Sequence, residues 1–152
     1  MNKFMALAYK EADKALKNGD GEAFGAVITK GNQILGVGHD EVKKNHDPTC
    51  HGEIMAIHDA CQKTGSFDLS GCSIYTTEEP CPMCLGAILW ANIGKIYYGS
   101  NAISLQGIQL KKGGPCQEKE AEKEDKEVKE LDRESCLKLY DDYLRIKGKK
   151  NY

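Results

Sequence analysis

Long apolar runs are missing from this chain of 152 residues. The uncharged stretch Pro80–Gly94 carries Pro, Asn and Gly, and it falls short of the roughly 20 apolar residues that a membrane-spanning helix needs. Proline is scarce at four and tryptophan scarcer at one, which excludes collagen-like and proline-rich architectures. Excess charge of either sign is lacking too: 21 basic residues against 23 acidic leave a net charge of −2 and a pI near 6.1. No basic surface announces a nucleic acid or an anionic membrane as partner. The first 19 residues alternate charged with apolar positions and contain no apolar leader segment, so secretion is not expected. With 40% hydrophobic and 29% charged residues, the chain is expected to fold as a single domain over 1–152. Its seven cysteines are an odd number in a chain with no secretory mark, which points to reduced thiols and a cytoplasmic location.

The apolar pattern outlines the elements. Phe4, Leu7, Ala8, Ala12, Ala15 and Leu16 recur at helical spacing, and Gly19 stops that helix. Phe24–Thr29 and Gln33–Val37 read as a hairpin turned at Lys30-Gly31-Asn32, followed by a polar loop over Gly38–Pro48. A helix is expected from about Thr49 to Lys63, burying Ile54, Ile57 and Cys61. A strand over Cys72–Thr77, a helix over Pro82–Trp90 and a strand over Lys95–Tyr98 complete the order α-β-β-α-β-α-β. That order predicts an α/β fold, a three-layer α/β/α sandwich on a central mixed sheet. Ile103–Leu110 is apolar without a clear period, and the charge-dense Glu118–Glu134 reads as a solvated face. Cys136, Leu137, Tyr140, Tyr143 and Leu144 predict a docked C-terminal helix, after which a basic tail runs to Tyr152. Cys61, Cys72 and Cys136 read as small core residues, and Cys116 as a loop residue.

Two segments carry chemistry: His51-Gly52-Glu53 and Pro80-Cys81-Pro82-Met83-Cys84. A C-x-x-C pair with one distant histidine offers Zn²⁺ two thiolates and an imidazole, and leaves a fourth position open. Water held there ionises near neutral pH. Glu53, two residues from the histidine, is close enough to move protons without binding metal. Two other readings of these residues compete. A closed structural site needs a fourth ligand, for which Cys50 or His46 are the nominees, but Cys50 adjoins His51 and would point elsewhere on a helix. A redox C-x-x-C leaves His51 and Glu53 unexplained. A helix starting near Thr49 and a strand returning over Cys72–Thr77 travel similar lengths, so the two motif-bearing helix starts are expected to meet outside the strand ends.

H-x-E followed by P-C-x-x-C is the pattern of zinc nucleobase deaminases. The block from Asp47-Pro48-Thr49 through His51-Gly52-Glu53-Ile54 to Glu79-Pro80-Cys81-Pro82-Met83-Cys84-Leu85-Gly86-Ala87-Ile88 resembles the cytidine-deaminase-like superfamily, most of all its bacterial guanine deaminase branch. The resemblance covers roughly residues 1–100. It implies one zinc on His51, Cys81 and Cys84, with Glu53 as proton shuttle, and release of ammonia from a small aminated heterocycle by water. A guanine-type purine is the first expectation; cytosine, nucleosides and other amino-heterocycles are alternatives, and a tRNA adenosine deaminase or a silent zinc-stabilised module are further ones. The resemblance also implies a homodimer that exchanges its C-terminal helix and tail, about residues 133–152, with Tyr152 reaching an active site.

Substrate contacts are expected at Asp40, Gly52, Phe24, Trp90 and Tyr152. Trp90 and Phe24 each have a second reading as plain core, and Gly52 either packs closely or frees its N–H for a substrate carbonyl. Asp40 stands where many relatives have Asn; an ionised carboxylate only accepts, so it favours rings that present N–H donors, unless it turns away to cap a backbone N–H or Lys43. Glu78 replaces a position that is usually apolar or Cys, and Gly107–Lys112 stands where the guanine deaminase branch has Phe-Asp-Asp. His58 reads as a surface or core residue; His39 and His46 lie in the loop leading to the site.

Overall fold

The computed structural model describes residues 1–101 and 127–147. Helix α1 (Lys3–Asn18) starts at Asn2, whose side chain accepts from the N–H groups of Phe4 and Met5 at 2.8 and 3.3 Å. It stops at Gly19, whose φ of 70° takes the left-handed conformation that glycine adopts without penalty. The hairpin β1 (Gly25–Lys30) and β2 (Gln33–His39) follows. After it come a single turn α2 (Val42–Asn45), helix α3 (Gly52–Thr64), strand β3 (Ser73–Glu78), helix α4 (Pro82–Trp90) and strand β4 (Lys95–Ser100). Strand β5 (Glu127–Glu130) and helix α5 (Arg133–Lys147) close the described chain.

The sheet order is β2-β1-β3-β4-β5. β1 is antiparallel to β2 and β3, whereas β3, β4 and β5 run parallel, so the sheet is mixed. One face packs through Ala26, Ile28, Ile74 and Ile96 onto Ala56 and Ala60 of α3 and Ile88 of α4. The other packs through Val27 onto Met5 and Ala8 of α1 and Cys136 of α5. This is the three-layer sandwich that the element order predicts. Among the described residues no helix is long and apolar enough to cross a membrane.

Layer spacing is tight between β2 and α3. A Cβ on Gly36 would lie 2.6 Å from the Ala56 carbonyl oxygen, and one on Gly38 would lie 2.3 Å from the Ala56 nitrogen. Neither residue tolerates a side chain there, so strand and helix backbones touch. The buried face of α3 is consequently formed by Ala56 and Ala60, both fully buried. Ile57 and Cys61, expected to lead that face, pack at its margin. Small residues win because the strand opposite is glycine.

Three expectations change. α3 begins at Gly52 rather than Thr49, because His51 is still extended (φ −68°, ψ 158°). The charge-dense segment supplies β5, an edge strand exposed along Val128–Glu130 and tied to β4 by a Lys95–Glu127 ion pair of 3.4 Å. An edge strand with charges on both faces shows no alternation to read. Trp90 is 86% exposed, which overturns its reading as core. Ile103–Leu110, Gly107–Lys112, Cys116 and Tyr152 lie outside the described residues.

Candidate active site

His51 and Cys81 hold the same position in two helices. Each is the N-cap, extended at ψ 158° and 166°, and each gives its carbonyl to the first helical N–H, from Met55 at 3.0 Å and Leu85 at 2.8 Å. Pro82 at the first turn of α4 has no N–H to lose, which suits it to that place. Glu53 and Cys84 then fall within the first turns, and the β3–α4 connection brings the two helix starts together. His51 Nδ1 lies 3.6 Å from Cys81 Sγ and 3.5 Å from Cys84 Sγ.

The three donor atoms lie within 4.8 Å of one another. A tetrahedral zinc with usual Zn–S and Zn–N bonds separates sulfur from nitrogen by about 3.6 Å. The donor set therefore fits zinc in both chemistry and spacing. Hydrogen bonding from the Cys84 thiol, and then from His51, pulls the Cys81 pKa down to about 4 despite burial. The bond to Cys81, and then burial, push Cys84 up. His51 is raised, chiefly by its bond to Cys81.

Glu53 is 8% exposed, and burial, followed by the charge of Cys81, pushes its carboxyl up to about 7. A carboxyl poised near neutrality both accepts and returns a proton efficiently. Cys50, nominee for a fourth ligand, is instead contacted by the Asn45 side chain at 3.6 Å and stands outside the donor cluster.

Phe24, Asp40 and Gly52 are brought together through their backbones. The Asp40 N–H donates to the Phe24 carbonyl at 3.0 Å, and a Cβ on Gly52 would lie 3.2 Å from that same oxygen. Close packing thus accounts for the glycine at 52. Asp40 is fully buried; one carboxylate oxygen accepts from the Val42 N–H at 3.0 Å, the backbone cap that is the second reading of this residue, and its charge contributes to the rise in His51. Trp90 is not brought to this cluster within one chain. It ends α4, nine residues beyond Cys81 and hence about 13 Å along the axis. Glu78 is buried and accepts from the Ser100 hydroxyl across β3 and β4. His58 is exposed.

Fold and site together define a zinc-binding domain built on a mixed sheet, with its metal ligands at two helix starts. The family described as "Cytidine and deoxycytidylate deaminase zinc-binding region" matches residues 1–100, and the chain belongs to that family. A guanine deaminase of Bacillus subtilis is 42% identical over 97 residues, 64% of this chain and 62% of that protein. A tRNA-specific adenosine deaminase of Aquifex aeolicus is 36% identical over 97 residues, 64% of each. The match thus spans less than two thirds of these curated relatives. The solved structure of a guanine deaminase from Bacillus subtilis covers 100% of this chain and 99% of that one, at 32% identity and a TM-score of 0.66.

Proposed function

We propose that this protein is a zinc-dependent hydrolytic deaminase that releases ammonia from a small aminated heterocycle, with a guanine-type purine as first candidate. The observation that carries the reading is the His51-Cys81-Cys84 cluster, whose donor atoms lie within 4.8 Å of one another, with the buried Glu53 two residues from the histidine. Zinc held there supplies the Lewis acidity that makes water a nucleophile near neutral pH. His51, Cys81 and Cys84 hold the metal. Glu53 takes a proton from the attacking water and returns it to the departing amino nitrogen, so the ring gains oxygen and loses ammonia. Phe24, Gly52 and Asp40 line the ring side, and Asp40 accepts N–H donors that a purine edge presents.

A free base suits the surroundings better than a tRNA. The chain carries 21 basic residues against 23 acidic, whereas phosphate binding needs an excess of cations. The 36% identity to a tRNA-specific adenosine deaminase keeps that substrate in the test.

We also place the protein in the cytoplasm as a homodimer. Support for the dimer comes from α4: no charged residue lies between Cys81 and Gly94, and Met83 and Trp90 leave its outer face apolar and exposed. A second copy presents the same uncharged face and fits it by two-fold symmetry. Tyr152 is a substrate contact in this reading, so deleting Lys149–Tyr152 raises KM or lowers kcat. The deciding experiment is ammonia release by zinc-loaded protein from a panel of guanine, cytosine, adenine, their nucleosides and a tRNA anticodon stem. Guanine turnover is expected; no release from any member would leave a silent zinc-stabilised module.

A further inference from the structure

The face of β2 opposite the site carries a buried ion cluster that the reaction as described does not use. His39 Nδ1 lies 3.0 Å from Glu11 Oε2 of α1, and its Nε2 lies 2.8 Å from Asp20 Oδ2 in the α1–β1 loop. Glu41 Oε1 stands 3.6 Å from the same Nε2. Side-chain exposure is only 13% for His39, 10% for Glu11 and 12% for Asp20. Both ring nitrogens are thus taken up by carboxyl groups of α1 and its loop. Burial by itself would raise Asp20, yet hydrogen bonds from His39 and Asn18 and the charges of His39 and Lys44 hold it below the usual carboxylate range.

The cluster closes a ring of bonds around Asp40. The Asp20 carbonyl accepts from the N–H groups of Lys43 and Lys44, both at 3.0 Å, while the third N–H of that turn, from Val42, goes to Asp40 Oδ1. His39 closes β2 and Asp40 is the first residue beyond it; the Asp40 carboxylate lies against Gly21, next to Asp20, where a Cβ would stand 2.0 Å from Asp40 Oδ1. Val37 packs with α1, whereas Gly36 and Gly38 touch α3. His39 follows Val37 in that alternation.

We propose that His39 is a positioning residue: clamped to Glu11 and Asp20 on one face of β2, it fixes the register and orientation of Asp40. The inference rests on the reading of Asp40 as a substrate contact. His39 touches no substrate and acts only through its neighbour.

A double-mutant cycle on zinc-loaded full-length protein tests it, with guanine as substrate and rates normalised to bound zinc. His39→Ala is expected to retain zinc and to raise KM roughly tenfold with kcat changed by less than about threefold, within the hundredfold that a misplacement of about 1 Å costs. Asp40→Ala raises KM by a similar factor, and the double variant is no worse than Asp40→Ala alone, because the two act as one unit. His39→Gln keeps one of the two bonds and restores part of the lost KM. A His39→Ala protein that is merely less stable with unchanged KM, or a double variant whose effects multiply, overturns the inference. If Asp40→Ala leaves KM unchanged, the substrate role of Asp40 fails instead. Hydrogen exchange reads the clamp without turnover: the Val42 amide loses protection in His39→Ala while the α3 amides keep theirs, and undiminished protection of Val42 overturns the inference. Should His39→Ala fail to fold, His39→Gln carries the same cycle.

Discussion

His51 Nδ1 and Cys84 Sγ lie 3.5 Å apart although 33 residues separate them in the chain. The approach depends on two helices that begin side by side, each capped by a residue in extended conformation. A metal site made this way stands or falls with the packing of α3 and α4 against the sheet, and Glu53 sits in the first turn of α3.

Glu53→Gln keeps the shape of the side chain and removes its ability to ionise. The variant is expected to bind zinc as the parent does and to lose roughly 10²–10⁴ in turnover, the usual weight of a general acid or base. Metal analysis beside ammonia-release kinetics checks both halves. Normal turnover would remove Glu53 from the mechanism.

Metal binding is coupled to folding. Zinc at about a hundredfold over its Kd adds about 2.7 kcal/mol to the stability of a protein that binds it only when folded. Removing zinc with a chelator should therefore lower the Tm of the parent, whereas Cys84→Ser should melt at one temperature with or without zinc. Thermal scans of both proteins in the two conditions decide it.

Cys136 provides a pH dependence remote from the metal ligands. Burial, followed by the charges of Asp132 and Glu78, pushes its thiol up to about 12 from an ordinary 9.0. The folded chain keeps this proton over a range where the unfolded chain gives it up. Its contribution is thus fully present below pH 9 and is lost as pH rises toward about 12. Between about pH 8 and about pH 10.5, urea unfolding should show the parent losing about 2 kcal/mol more than Cys136→Ala. Parallel losses in the two proteins would contradict the shift.

Gly38→Ala tests the contact that seats α3. The new methyl would meet the Ala56 nitrogen at 2.3 Å and the Gly52 carbonyl oxygen at 2.5 Å, and backbone atoms of a packed helix have little room to yield. A loss of roughly 1–3 kcal/mol is expected, as for other overpacked cores. Gly94→Ala meets nothing within 4 Å and should stay within about 0.5 kcal/mol of the parent. Denaturant melts of the pair supply the comparison.

Trp90→Asp bears on the outer face of α4. A charge in the middle of an apolar self-contact is desolvated in both copies, so the dimer should dissociate while the chain stays folded. Sedimentation at micromolar concentration and circular dichroism report the two properties. An unchanged sedimentation coefficient equal to that of a dimer would place the contact elsewhere.

Much of this molecule is legible in its order of residues, because the relevant physics is local. Asn2 and Gly19 bound α1 through a side-chain cap and a left-handed turn, both functions of residue type. The donor set His51, Cys81 and Cys84 is equally readable, since zinc selects ligands by chemistry and spacing. The tertiary structure decided what depends on neighbours distant in sequence. Gly36 and Gly38 made Ala56 and Ala60, rather than the larger apolar residues, the buried face of α3. β5 formed from a segment that reads as solvated because only the edge of β4 gives its backbone a partner. Trp90, a core candidate by type, came to lie exposed at the far end of its helix. His39 and Asp40, adjacent in the chain, took different partners, one an ion cluster with α1 and the other the N–H of Val42. Burial, which no local pattern measures, raised the Glu53 carboxyl toward neutrality and gave a glutamate identified by its spacing the proton affinity its proposed role requires.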